Sequence, residues 1–349
     1  MTEISERKSD HLRIVTEGRG RQDGIATGFD AVRFRHDALP DVDFDRIDTA
    51  TRFLGRSMAA PILVSAMTGG PIEARRINAH IAEACAELGL ALSVGSQRIA
   101  VEGRPDRGGA EFAAGLDRDL RRLAPAIPIL GNIGAVQLNY GFGPDQARRA
   151  IDMIGADALI LHLNPLQEAI QQGGDRNFAG LLPRIEALAR VLPVPLGVKE
   201  VGAGIAAPLA RRLIEAGVRI VDVAGTGGTS WARVEAERGP DRLQALAAPF
   251  HDWGIPTADA LRAVAPVMAP GCVLIASGGV RHGLDVARSI RLGAQLAGQA
   301  AGALASARAG TADLVAHLQD VIAQLRIAMF CTGSADLAAL ARAPLQDGG

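Results

Sequence analysis

The sequence predicts an α/β fold closed into a single (β/α)8 barrel, on three observations. Eight short apolar runs recur after residue 60, each ends in glycine or polar residues, and amphipathic stretches separate them. Continuously apolar strands alternating with helices indicate a parallel sheet covered on both faces. Eight such units are the number that closes a sheet into a barrel.

In order, the runs are PILVSAM (61–67), LALSVG (90–95), PILGNIG (128–134), ALILHLN (158–164), PLGVKEVG (195–202), IVDVAG (220–225), VLIASGG (273–279) and AQLAGQA (294–300). Helices are predicted between them, among others over 72–89, 144–155 and 284–293, where apolar residues recur at helical spacing. Residues 1–60 read as an N-terminal arm and 61–349 as the barrel domain, with closing helices from about residue 300. The longest interval, Gly225 to Val273, leaves room for a lid-like excursion after the sixth strand. DVDFD (41–45) alternates like an exposed strand and lacks the Gly and terminal Glu of a calcium loop.

Hydrophobic residues make up 48% of the 349-residue chain but aromatics only 3%, so the core must be built from Ala, Val, Leu and Ile. A net charge of -1 gives no bulk attraction to nucleic acid or an anionic membrane, so any anion recognition has to be local. AQLAGQAAGALASA is Gly/Ala-rich and interrupted by Gln, which reads as strand plus helix, not a membrane span. The N-terminal MTEISERKSDHLRIV has no apolar signal-peptide region. Cys85, Cys272 and Cys331 are odd in number and lack CxxC spacing, so reduced thiols in a cytoplasmic protein are expected.

In such a barrel, function collects at the C-terminal strand ends. Here they read MTGG, GSQR, GNIG, HLNPLQE, KEVG, AGTGGTSW, SGG and AGQA. Ser277–Gly279 and Ala297–Gly298 end the last two strands, where free backbone N–H groups make a phosphate cradle. Plain glycine turns entering the next helices are the alternative. Lys199 interrupts an apolar strand, which is costly unless it meets an anion or forms a Schiff base. With Asn132 and the polar Ser96, Gln97 and Arg98, these groups suit a flavin mononucleotide (FMN) across the barrel mouth, its pyrimidine edge facing Lys199. Arg7, Lys8 and His11 fall on one side of a helical turn and suggest a second anion site, unless they are a solvated basic terminus. His162, Asn164, Gln167 and Glu168 put four polar groups at the end of a buried strand, a costly arrangement unless they are paired or used. GAGIAA (202–207), with Asp222 beyond it, matches a dinucleotide fingerprint, but that motif needs the crevice of an open sheet. His80 and Cys85, on the first long helix, read as packing or surface residues.

RKSDH, MTGG, GSQR, GNIG, HLNPLQE, KEVG, AGTGGTSW and SGGVR occur in one order, and together they resemble the type 2, flavin-dependent isopentenyl-diphosphate isomerase family over residues 7 to 300. The resemblance implies that Ala66, Met67, Thr68, Ser96, Asn132, Lys199, Thr229, Ser277, Gly278, Gly279, Ala297 and Gly298 hold the FMN. It implies that Arg7, Lys8, Ser96, Gln97 and Arg98 bind a substrate diphosphate with His11 close by. His162, Asn164 and Gln167 would line the pocket over the flavin, Trp231 and Glu235 would complete it, and Glu168 would hold Mg²⁺. Family members often carry Ser where this chain has Ala224. The implied substrates are isopentenyl and dimethylallyl diphosphate, with NAD(P)H priming the flavin, Gln167 handling the proton and Lys199 stabilising the reduced ring. A homo-oligomer, tetramer or octamer, is also implied. The rival on the same barrel is an FMN-dependent 2-hydroxy-acid oxidase or dehydrogenase. It would need a His base near the flavin, and AGTGGTSW has none. A non-catalytic flavin- or phosphate-binding barrel would need neither HLNPLQE nor RKSDH.

Overall fold

The structure is a computed structural model that describes residues 3–67, 72–103 and 116–346. A hairpin of β1 (Thr51–Phe53) and β2 (Arg56–Met58) comes first. The eight predicted runs follow as β3 (Ile62–Val64), β4 (Ala91–Ser93), β5 (Ile129–Gly134), β6 (Ala158–His162), β7 (Leu196–Lys199), β8 (Ile220–Asp222), β9 (Val273–Ala276) and β10 (Leu296–Gln299). Each pairs in parallel with the next, and β10 pairs with β3 to close the barrel. Predicted helices are observed over Ile72–Leu88, Pro144–Ile154 and Gly283–Arg291.

The period of two along each strand divides the core. Leu159, Leu161, Val198 and Val221 pack outward with helix residues in the larger cluster. Leu63, Ala91, Leu130, Ile160, Ile220, Ile275 and Leu296 form a separate cluster inside the barrel. Phe53 and Met58 of the hairpin join that inner cluster and are 3% and 2% exposed, so the hairpin seals the barrel from below. Burying each such side chain contributes roughly 1.5–3 kcal/mol. By the same alternation Asn132, His162, Lys199 and Asp222 point inward at the other end. His162 pairs in register with Lys199, and Lys199 with Asp222.

The arm begins with the helix Glu3–Thr16, and its Leu12, Phe29, Val32 and Ile47 belong to the barrel's outer core. The predicted strand at 41–45 is not formed. Asp43 instead caps a 3-10 turn, Phe44–Arg46, accepting from Asp45 N at 3.0 Å. An Asp side chain so placed offers the backbone a turn in preference to a ladder. After β8 the excursion carries the helices Trp231–Glu237, Asp241–Ala247 and Thr257–Val264. At the C-terminus the helix Thr311–Phe330 packs against Ile72–Leu88 and Gly283–Arg291. GAGIAA leads into the helix Ala207–Glu215, but the closed sheet leaves no crevice for a dinucleotide. His80 Nδ1 lies 2.9 Å from Ala307 O, Cys85 is buried, and all three cysteines are unbridged. No helix among the described residues is long and apolar enough to cross a membrane.

Candidate active site

The inward row at the C-terminal end of the barrel opens into a cavity of about 410 Å³, lined by strand ends, the arm helix and the excursion after β8. Arg7, Lys8, His11, Leu12 and Val15 line it from the helix Glu3–Thr16, a stripe at three- and four-residue spacing. Among the described lining residues, Arg7, Lys8, Arg21, Arg98, Lys199 and Arg281 face a single carboxylate, Glu168. So large a cationic surplus in a partly enclosed site suits polyanions.

One end of the cavity is a glycine cradle. Gly278 and Gly279 have φ of 100° and 73°, and a Cβ on Gly278 would stand 2.2 Å from Gly225 O. A Cβ on Gly298 would stand 2.4 Å from Ser65 Oγ and 2.9 Å from the Ser277 Cβ. The backbones of the loops after β8 and β9 therefore touch, and their peptide groups meet the cavity without side chains. Ser65 Oγ and Asn164 Oδ1 are buried without a hydrogen-bond partner, and both residues line the cavity. Unused polar atoms beside such a cradle fit a polar, phosphorylated cofactor.

The barrel centre holds His162 and Lys199. His162 Nδ1 is 2.8 Å from Asn132 Oδ1, which can only accept, so the imidazole carries its proton on Nδ1. Burial and the nearby Lys199, Lys8 and Arg98 cations push the His162 pKa down to about 3. It is therefore neutral and a weak base. Burial, with Arg7 and Arg98 alongside, brings the Lys8 pKa down to about 7. Behind Lys199, Asp222 accepts from Ser277 Oγ at 2.6 Å. Burial raises the Asp222 pKa against the opposing pull of Lys199 and Ser277.

HLNPLQE breaks from β6 into the short helix Pro165–Ile170, whose proline stands in the first turn, where its missing N–H costs nothing. Asn164 Nδ2 donates to Gln167 Oε1 at 3.1 Å and to Glu168 Oε1 at 2.9 Å. Gln167 Nε2 donates to Glu235 Oε1 at 2.8 Å, and His11 Nε2 lies 3.0 Å from the same oxygen. Arg238 NH1 donates to Glu235 Oε2 at 3.4 Å. Burial would raise the Glu235 pKa, but His11, Gln167 and Arg7 together hold it below the ordinary value. Trp231 lines the cavity and meets the His11 ring edge-on, centroids 5.2 Å apart.

Of the residues predicted for the site, Ala66, Met67, Ser96, Asn132, Thr229, Ser277, Gly278, Gly279 and Gly298 line the cavity, together with those just described. Three are not brought to its wall. Gln97 is fully buried, donating to Ala150 O and accepting from Asn132 N, because it stands past the end of β4, at the cap of the short helix Arg98–Glu102, with its amide held in the wall while Ser96 and Arg98 line the cavity. Ala297 packs into the outer core, and Glu235 stands one layer back, behind Gln167 and His11. Thr68 lies outside the described residues. Gln137, Gln171, Arg281 and the apolar Leu12 and Val15 also line the cavity, beyond the residues expected from sequence. For Gln171, Leu12 and Val15 the signal was present as i,i+4 spacing from Gln167, Lys8 and His11.

A closed parallel barrel with a glycine cradle and an inward-pointing lysine at its mouth fits the class of flavin-binding barrel enzymes. The family model for FMN-dependent dehydrogenase matches residues 15–101 and 162–347. Mandelate oxidase with (S)-2-phenylpropionate superposes with a TM-score of 0.65 over 99% of both chains at 17% identity, a likeness of fold alone. The isopentenyl-diphosphate delta-isomerase of Xanthobacter autotrophicus is 56% identical over 97% of this chain and 96% of its own. That of Stutzerimonas stutzeri is 55% identical over 97% and 96%, and that of Synechocystis 48% over 99% and 97%. The chain belongs to the isopentenyl-diphosphate delta-isomerase family, as an FMN-dependent isomerase on a (β/α)8 barrel.

Proposed function

We propose that the chain interconverts isopentenyl and dimethylallyl diphosphate in isoprenoid biosynthesis, adding a proton at one carbon and removing one from another. The observation that carries this reading is the juxtaposition of three features in one cavity. Cations (Arg7, Lys8, Arg98), side chains of HLNPLQE and the glycine cradle all line the same space.

Arg7, Lys8 and Arg98, with Ser96, grip the diphosphate, and that remote binding energy holds the reacting carbons in place. Glu168 would hold a Mg²⁺ that offsets the diphosphate charge; one carboxylate with phosphate oxygens and water is the usual magnesium set. Ala66, Met67, Ser96, Asn132, Thr229, Ser277–Gly279 and Gly298 hold FMN. When bound and reduced, that cofactor would supply acid–base chemistry and an electron-rich ring face to the alkene. Lys199 neutralises the charge of the reduced ring. Gln167, anchored between Asn164 and Glu235, places the proton. The neutral His162 and Asn164 add hydrogen bonds without a competing negative charge, and Trp231 covers the hydrocarbon end. NAD(P)H is the reductant, without net redox change per turnover. The protein works in the cytoplasm as a homo-oligomer.

The test is anaerobic incubation of the yellow, FMN-loaded protein with isopentenyl diphosphate, Mg²⁺ and reduced FMN. Dimethylallyl diphosphate is the expected product; a colourless protein, or no product, overturns the reading. The match to the FMN-dependent dehydrogenase family leaves one second reading, oxidation or dehydrogenation of a 2-hydroxy acid. That chemistry needs a basic histidine by the flavin, whereas His162 is a weak base and AGTGGTSW contains none. Oxidation of lactate by the same preparation would restore it.

A further inference from the structure

The segment after the helix Pro165–Ile170 folds back on Glu168. Gly173 has φ 67°, and a Cβ on Gly174 would stand 2.1 Å from Glu168 O and 3.0 Å from Glu168 Oε2. The chain can pass this close only without a side chain. The turn delivers Asp175, whose backbone N–H donates to Glu168 Oε2 at 2.7 Å. Its carboxylate reaches the other way, where Oδ2 accepts from Arg98 NH1 at 2.5 Å and from Gln137 Nε2 at 3.0 Å. Arg98, Gln137 and Glu168 line the cavity and Asp175 does not. One residue thus holds an anion-binding guanidinium with its side chain and a cation-binding carboxylate with its main chain.

We propose that Asp175 is a positioning residue for the metal–diphosphate end of the substrate, setting the separation of Arg98 and Glu168 before the substrate arrives. The proposal rests on the assignment of Arg98 and Glu168 given under Proposed function. Arg98 is also tied to Glu102, at 2.9 Å through Nε, so the two carboxylates hold the guanidinium at Nε and NH1 and fix its plane. A fork already oriented loses little rotamer freedom on binding, whereas one tethered only at Nε must be ordered by the ligand. The Asp175 carboxylate acts on the diphosphate through Arg98, and the turn at Gly174 acts on the metal through Glu168.

Steady-state kinetics of the FMN-loaded enzyme with isopentenyl diphosphate, at varied Mg²⁺, separate these effects. Asp175→Asn keeps the backbone N–H, so KM rises about tenfold while kcat stays within about threefold and the Mg²⁺ half-saturation is unchanged. In an Arg98→Ala background the same substitution changes KM less than about twofold, because its partner is gone. Gly174→Ala displaces the turn and raises both KM and the Mg²⁺ half-saturation. An unchanged KM in Asp175→Asn, or an equal effect in both backgrounds, overturns the proposal while leaving the site assignment standing. Should Asp175→Asn not fold, Asp175→Glu is read in the same cycle, and additivity with Arg98→Ala is again the refuting result. If Arg98→Ala and Glu168→Gln themselves move neither KM nor the Mg²⁺ half-saturation, the site assignment fails and the proposal with it.

Discussion

Protonation of His162 is the most sharply defined perturbation in this molecule. Folding lowers its pKa from 6.5 to about 3, through burial first and then Lys199, Lys8 and Arg98. Between those values the unfolded chain binds the proton and the folded chain does not, so stability rises with pH there. The penalty is absent above pH 6.5, grows as pH falls, and saturates below about 3. Its slope is about 1.4 kcal/mol per pH unit, which amounts to about 2 kcal/mol at pH 5 and almost nothing at pH 7. His162 faces a cavity that admits water, so about half of this, ~1 kcal/mol, is the expected effect. In His162→Gln the titrating group is gone. Urea unfolding of both proteins at pH 7 and pH 5, with FMN in constant excess, reads the effect as a difference of differences, and every other titration cancels. Wild type should lose ~1 kcal/mol more than the variant on acidification. Equal losses would mean that His162 is not held neutral by the fold, and the account of its Asn132 partner would be wrong.

The remaining predictions concern the rest of the cavity. With the Lys8 pKa near 7, diphosphate binding at pH 7 should take up a fraction of a proton. Calorimetry in buffers of different ionisation enthalpy measures it, and Lys8→Met should remove it. Glu235→Ala removes a buried carboxylate shared by Gln167, His11 and Arg238, which costs about 3–5 kcal/mol when fully enclosed and less beside the half-buried Arg238. Hydrogen exchange over Glu3–Thr16 should speed up by at least tenfold, and unchanged protection would show that the carboxylate does not hold the arm helix. Gly298→Ala would overpack Ser65 and Ser277 by about 1–3 kcal/mol. Flavin retained after dialysis, read by absorbance, should fall, and full retention would remove Gly298 from the cradle.

Much of this architecture is readable from local pattern. β3 to β10 fall within the eight apolar runs because a strand buried on both faces has to be apolar throughout. Four of the polar interruptions, at Asn132, His162, Lys199 and Asp222, are inward positions at one end of the barrel. Glycines at 278, 279 and 298 and the cations at 7, 8 and 98 were visible as residue types whose cost demands a use. DVDFD shows where pattern misleads: its alternation matched a strand, but Asp43 had a local hydrogen bond to offer and took it.

Residue order along the chain therefore determines which segments become strands, where they end, and which chemistry gathers at the ends, since period and turn preference act over a few residues. Only closure of the barrel decides which of those groups meet. The hairpin's Phe53 and Met58 fill the interior from outside the barrel sequence, and Gln97 turns into the wall. Glu235 becomes the buried partner of Gln167 across 68 residues, and Asp175 the half-buried partner of Arg98 across 77. Pairings over such separations are set by how eight strands tilt and register around one axis, and that geometry is written in no single stretch of the chain.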